Sequence, residues 1–392
     1  MINPNAKLFF DGDDLSFDFD KEKNSFISHM DMLKGQSVEE HTLYKKWKEL
    51  SSYYNNTGDL VKSSITESRI WKPTDIFNTD LTIQEISSID PQIIIVEPNE
   101  EYTDDWKYLR VMGHTMEYVP NKGRVVKILV RDKTSGKYLG VLSLGSDVTS
   151  ISVRDEWIGW NKENKFNQGK LNSICIGSCI LPTQPFGFNF LGGKLVASLL
   201  TSPEIRQYWK EKFGDVLVGI TTTSLYGSHS MYQRIPYWKE LGKSAGKMSL
   251  KPDDEKYNVW IDYLKEHHKD TYDELMERTG PKQQILNYIY KLLQIKNTTY
   301  LHGFERGVYF CEFYKNSREF LRNEIEEKDL VLHDRLQGGV AGVMEWWKGK
   351  AITRYNNLVT QDRVNDKTLF YRKLTQMTWE ETKTLYLEEV GR

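Results

Sequence analysis

The chain has 392 residues, with 53 Lys and Arg against 55 Asp and Glu and a formal net charge of -2. Hydrophobic residues make up 39% and charged residues 28%, and the mean hydropathy is -0.58. These values exclude a collagen, a coiled coil and a disordered tail, and leave a globular protein with room for two or three domains. No apolar run approaches the roughly 20 residues that span a bilayer, so no membrane partner is expected.

The opening MINPNAKLFFDGDD is acidic where a secretion signal would be basic and then apolar, and the cytoplasm is the expected compartment. Three cysteines, Cys175, Cys179 and Cys311, are too few for a disulfide framework. Their one C-x-x-x-C spacing does not suit a structural zinc site, and all three read as small buried residues.

Charge is unevenly spread. Residues 1–100 hold 10 Lys and Arg against 18 Asp and Glu, a net of -8, whereas residues 121–250 hold 18 against 9, a net of +9. The basic part also carries Trp157, Trp160, Phe166, Phe186, Phe188 and Phe190. Cations interleaved with aromatic rings suit an anionic partner such as nucleic acid or a nucleotide cofactor. The plainer reading is a solvated lysine-bearing face, and composition alone leaves both open.

In chain order, residues 1–60 alternate acidic and aromatic side chains, like an arm, around a helix near Val38–Tyr54 with Ser37 as N-cap and Glu40 three residues later. Asp80–Ser88 reads as a short capped helix, and the apolar Gln92–Glu97, between Pro91 and Pro98, as a strand. Between Arg124 and Ser146, two β-rich runs joined by Thr-Ser-Gly predict a hairpin. Leu171–Leu181 reads as a buried strand interrupted at Gly177, where a bulge is expected. A loop rich in Gly and Phe then leads into a helix beginning near Gly192. Ser202-Pro203-Glu204 opens another helix, running to about Phe213, and Val216–Thr223 is again a strand.

Beyond Pro252 the composition turns helical over Asp253–Leu264 and Asp270–Ile295, reads as strand over Tyr300–Tyr314, and returns to helix around Trp346 and Trp347. The expectation is an α/β (α+β) fold. It comprises an acidic arm over 1–90, a mixed sheet with flanking helices over 91–250, and a mostly helical extension over 251–392. Gly307–Phe313 is the one segment of that extension placed to add a strand to the sheet.

The most informative stretch for chemistry is Cys175–Lys194. A glycine-interrupted strand followed by a glycine loop at a helix start can hold an acyl-pantetheine and a pyrophosphate, because a bulge frees backbone N–H groups and the first helical turn attracts phosphate. The candidate cofactor-binding positions are Gly177, Ser178, Asn189, Gly192, Gly193 and Lys194, with Asn189 or Phe190 at the N-cap. The alternative is that the two adjacent glycines serve only close packing.

Asp155, flanked by Arg154 and Trp157, suits a base, a metal ligand or a substrate anchor, or else simply pairs with its neighbouring Arg. His229, in Tyr-Gly-Ser-His-Ser, and His114, after Gly113, are imidazoles placed for base or ligand work or for plain solvation. The pair His267-His268 reads as solvated. No P-loop, H-E-x-x-H or G-x-S-x-G occurs.

Four runs carry a resemblance: YLGVLSLGSDV from Tyr138, RDEWIGW at Arg154–Trp160, SLYGSHSMYQRIPYWKELGKSAG at Ser224–Gly246, and RGVYFCEFYKN at Arg306–Asn316. Together they resemble the DruA-type family of the Druantia phage-defence systems, and all but the last also resemble the Mom-type DNA-modification proteins of bacteriophages.

The resemblance implies a GNAT-like fold, in which a bulged fourth strand and the following loop and helix receive acyl-CoA. Here that loop reads NFLGGK in place of the family's Gln/Arg-x-x-Gly-x-Gly/Ala. It implies Tyr232, after the fifth core strand, as the acid that protonates the departing thiolate, unless its ring only packs against Trp238, with Asp155 and His229 as further catalytic candidates. It also implies that iron, if used, would draw on His114, Asp155 and Tyr232.

Two functions follow from these readings. One is a phage-encoded GNAT-like acyltransferase that modifies a nucleobase in DNA. The other is a non-catalytic module of a phage-defence or virion assembly that binds nucleic acid or protein.

Overall fold

The structure is a computed structural model that describes residues 17–57, 66–98, 101–120, 123–225, 231–245, 248–278, 280–367 and 377–390. Among the described residues one unit gathers 17–37 with 248–304, and the other gathers 38–245 with 305–390.

The larger unit is built on a sheet of seven strands: β1 (Pro91–Val96), β2 (Val125–Asp132), β3 (Tyr138–Ser146), β4 (Ile174–Pro182), β5 (Gly219–Ser224), β6 (Trp238–Lys243) and β9 (Gly307–Glu312). Their order is β1-β2-β3-β4-β5-β9-β6. Every neighbouring pair is antiparallel except β4 with β5. This is the mixed sheet the sequence implies, and β9 is the strand anticipated from Gly307–Phe313.

The β2–β3 hairpin shows why the local reading works. Side chains alternate across its pleat. Val126, Ile128 and Val130 join one core and Leu129 joins another on the opposite face. The buried Asp132 closes the turn, accepting from Ser135 N at 2.9 Å and Ser135 Oγ at 2.6 Å and, through its other oxygen, from Asp90 N at 2.9 Å.

Helices cover both faces. Gly192–Leu199, Pro203–Phe213 and Gly339–Thr360 supply the core with Val126 and Ile128, whereas Tyr102–Gly113 packs Trp106, Leu109 and Met112 with Leu129 and Val141. Helix Gly339–Thr360 buries Val343, Trp347, Ala351, Tyr355 and Leu358. These fall on one stripe at helical spacing. Trp347 Nε1 is tied at 3.0 Å to the carbonyl of Phe190.

The smaller unit holds helix Phe19–Lys34, helices Asp254–His267, Lys269–Glu277 and Pro281–Leu292, and a two-stranded sheet of β7 (Met248–Ser249) and β8 (Leu301–His302). Asp18 caps the first helix by accepting from Lys21 N at 3.0 Å. The stretch read as helical over Asp270–Ile295 forms two helices. Gly280 takes a left-handed φ of 71° and Pro281, lacking an amide hydrogen, starts the second. The long strand expected over Tyr300–Tyr314 is likewise only β8 and β9, lying in different sheets.

Candidate functional site

The parallel pair β4–β5 is short. It registers only over Ile174–Ile176 against Gly219–Thr221. Beyond that point β4 continues alongside β3 and β5 alongside β9. The irregularity expected near Gly177 is present: the β3–β4 register jumps between Ser143 and Leu144, which face Cys179 and Gly177, so Ser178 is the extra residue.

Where the two strands part, Thr222 Oγ1 donates to the Gly177 carbonyl at 2.9 Å. Tyr232 reaches the same hydroxyl and is 6% exposed. Its ring lies between Trp238 at 4.6 Å and Tyr309 at 4.8 Å, and burial raises its phenol well above the ordinary tyrosine value. The phenol is therefore protonated at neutral pH, as a general acid must be, within an aromatic stack.

The glycine loop is tightly filled. A Cβ on Gly192 would lie 2.4 Å from the Phe186 ring, and one on Gly193 would lie 2.8 Å from Met231 Sδ. Leu191, with φ 53°, occupies the N-cap where Asn189 or Phe190 was expected. Asn189 instead faces the chain end of helix Gly339–Thr360: its Nδ2 donates to the Asn365 carbonyl at 2.6 Å and its Oδ1 accepts from Asn365 N at 3.0 Å. Lys194 Nζ donates to the Gln233 carbonyl.

Asp155 belongs to a charge network. Its Oδ1 accepts from Arg154 Nε at 2.9 Å and Nη2 at 2.7 Å, and its Oδ2 from Lys165 at 2.5 Å. The fully buried Arg154 also lies 2.9 Å from Asp147 through Nη1, an ion contact without hydrogen-bond alignment. Asp147 accepts in turn from Thr221 Oγ1 at 2.5 Å. Two carboxylates thus meet two cations. Burial raises the Asp147 carboxyl above its ordinary value, with Arg154 opposing.

His114 stands elsewhere, at the end of helix Tyr102–Gly113, its Nδ1 accepting from Met116 N at 3.0 Å. Burial, reinforced by Arg110 and Lys46, holds it well below the usual histidine value, so it is neutral. Each of His114, Asp155 and Tyr232 is thus committed to different neighbours. Among the described residues no group of three or more His, Cys, Asp and Glu is arranged to hold a metal. His229 lies outside the described residues. The three cysteines are buried and free, and burial raises the Cys179 thiol to about 11.

Of the cations near Trp157 and Trp160, Arg154 and Lys165 are matched by Asp155, Lys239 by Glu312 at 2.6 Å and Arg322 by Glu324 at 2.7 Å, whereas Arg318, 4.8 Å from the Trp157 ring centre, has no carboxylate within 4 Å among the described residues. A second basic group differs. Arg234, Lys350, Arg354 and Arg363 have no carboxylate within 4 Å among the described residues. Two lie near Lys194 of the glycine loop and the other two adjoin Phe188 just before it. Burial and then the charges of Arg234 and Lys350 lower the Lys194 ammonium, and burial and then Arg363 lower the Arg354 guanidinium.

Arg354 lies 5.2 Å from the Phe188 ring centre and Lys350 5.5 Å from that of Trp346. Leu191, in the loop, and Arg234 (φ 62°), in the basic group, take left-handed backbones, a conformation disfavoured outside glycine. Like charges held together without a carboxylate within ion-pair distance among the described residues make a site that an anion would stabilise.

Sequence reasoning reached Phe188 and Lys194 but not these four partners. The one local signal was the spacing of Trp346, Lys350 and Arg354, which places them on a common helical stripe.

Fold and surface together define a mixed α/β protein with helices on both sheet faces and an unneutralised basic surface at the loop after β4. The chain belongs to the Druantia protein DruA family, whose family model matches residues 48–323. It is similar to the Druantia protein DruA of Escherichia coli (strain UMEA 4076-1), with 28% identity over 228 residues, 53% of this chain and 56% of that protein. The chain therefore matches little more than half the length of that relative. No solved structure matches it.

Proposed function

We propose that this protein is a nucleic-acid-binding component of a phage-defence system that acts without acyl transfer. Family membership supports the defence role. The observation that carries nucleic-acid binding is the group of Arg234, Lys350, Arg354 and Arg363. It lacks carboxylate partners within 4 Å among the described residues, with Arg234 and Lys350 near Lys194, and with Arg354, beside Arg363, against Phe188. A polyphosphate backbone supplies the missing negative charge at several points at once and releases its own counterions on doing so.

Titrating a labelled oligonucleotide with the purified chain tests this. The double variant Arg234→Gln/Lys350→Gln is expected to lose at least about tenfold in affinity at near-physiological salt; affinity equal to wild type would sink the reading.

The second reading is a GNAT-like transferase that modifies a nucleobase with an acyl group from CoA. The short β4–β5 pairing, with Tyr232 at the divergence, favours it. Phe186 and Met231 packed over Gly192 and Gly193 weigh against it, because close packing by these side chains already accounts for the two glycines. Mass spectrometry of nucleosides from DNA of cells expressing the chain discriminates the two. An unchanged profile is expected, and a new nucleoside that disappears with Tyr232→Phe would establish the transferase.

A further inference from the structure

The basic surface has an aromatic component that a phosphate backbone alone does not use. Phe188 is 36% exposed at the end of the single turn Phe186–Asn189. Its two aromatic neighbours in the chain turn inward: Phe186 packs on Trp71 and Trp347, and Phe190 on Trp71 and Tyr355. Phe188 makes no such ring pair among the described residues. Its contact is with the Arg354 guanidinium, 5.2 Å from its centre.

The turn that presents it is held from both sides. Phe188 N donates to Gln184 Oε1 at 3.0 Å, and Asn189 is bound through both side-chain atoms to the backbone of Asn365. Trp346, Lys350 and Arg354 follow one another at four-residue intervals, a row roughly 12 Å long from the 1.5 Å rise per residue. An exposed ring beside a row of cations is the arrangement that takes a base on its face and the adjoining phosphates on the charges.

A paired base in a duplex keeps its faces stacked against its own neighbours and has none to offer. We infer that the ligand of this surface is single-stranded nucleic acid, with a base against Phe188 and the flanking phosphates on Arg354, Lys350 and Arg363. This rests on the nucleic-acid reading above and adds strandedness and the stacking residue to it.

The test measures binding of the full chain to three labelled probes by fluorescence anisotropy: a single strand, the same sequence as a duplex, and a single strand of the same length with abasic sites. The single strand is expected to bind at least about fivefold more tightly than the other two. Phe188→Leu, which keeps an apolar side chain but removes the π face, is expected to weaken the single strand by about tenfold and leave the duplex unchanged, while Phe188→Trp retains the preference. Arg354→Gln is expected to weaken all three. Equal affinities for the three probes, or no effect of Phe188→Leu while Arg354→Gln still weakens binding, would overturn the strandedness and leave nucleic-acid binding intact. Loss of neither variant's binding to any probe would overturn both.

Discussion

Gly192 shows how a single residue changes meaning between sequence and structure. Two adjacent glycines at a helix start are compatible with a cofactor pressing on the backbone or with a side chain doing so. Here the Phe186 ring and the Met231 thioether fill that space. Gly192→Ala is expected to destabilise the fold by about 1–3 kcal/mol, read as a lower midpoint in thermal denaturation, because the ring has to give way. A midpoint equal to wild type would mean the contact is not tight.

Lys46 makes a second residue-scale case. It is 1% exposed and bonded to Glu49 at 2.7 Å, yet burial outweighs that partner and lowers the ammonium from 10.5 to about 8. Between those two values the unfolded chain holds the proton and the folded chain does not, so this residue's contribution to stability rises with pH. In urea unfolding, wild type is expected to gain on a Lys46→Met variant by on the order of 3 kcal/mol across that window. A difference that stays flat with pH would contradict the burial argument.

At the scale of elements, helix Gly339–Thr360 does two jobs with adjacent stripes. Its buried stripe, centred on Trp347 and Tyr355, fastens it to the core, and the stripe of Trp346, Lys350 and Arg354 contributes to the basic surface. Because the cations repel one another, stability and binding pull in opposite directions. Lys350→Gln is expected to leave the melting midpoint unchanged or slightly raised while nucleic-acid affinity falls several-fold. A fall in both would indicate that Lys350 supports the fold.

How legible each element was follows from how local its causes are. The β2–β3 hairpin was readable because alternation and turn residues lie within 22 residues of one another, and the β4 irregularity because a glycine interrupts an apolar run. The Gly280-Pro281 break carried a local signal that helical composition on either side concealed. The pairing of β9 between β5 and β6 depends on long-range contacts, so sequence suggested a strand there but not its neighbours. The candidate surface was half legible for the same reason. Phe188 and Lys194 stand in a conspicuous loop, whereas Arg234, Lys350, Arg354 and Arg363 arrive from two distant segments. The acidic match to the Trp157 region, through Glu312 and Glu324, was equally remote in sequence.

Over the whole molecule, a net charge of -2 conceals this distribution. Bulk charge gives no attraction to a polyanion, so binding has to come from a local concentration of cations, and it has to be screened by salt in proportion to the number of phosphates engaged. For single strands the slope of log affinity against log salt is about -0.7 per phosphate contact.

The most direct measurement is therefore that slope, for wild type and for a variant with Arg234, Lys350, Arg354 and Arg363 all replaced by Gln. Wild type is expected to show a slope of roughly -3, and the variant a slope near zero with affinity reduced at every salt concentration. Superimposable lines for the two proteins would contradict the assignment of this surface as the place where nucleic acid binds.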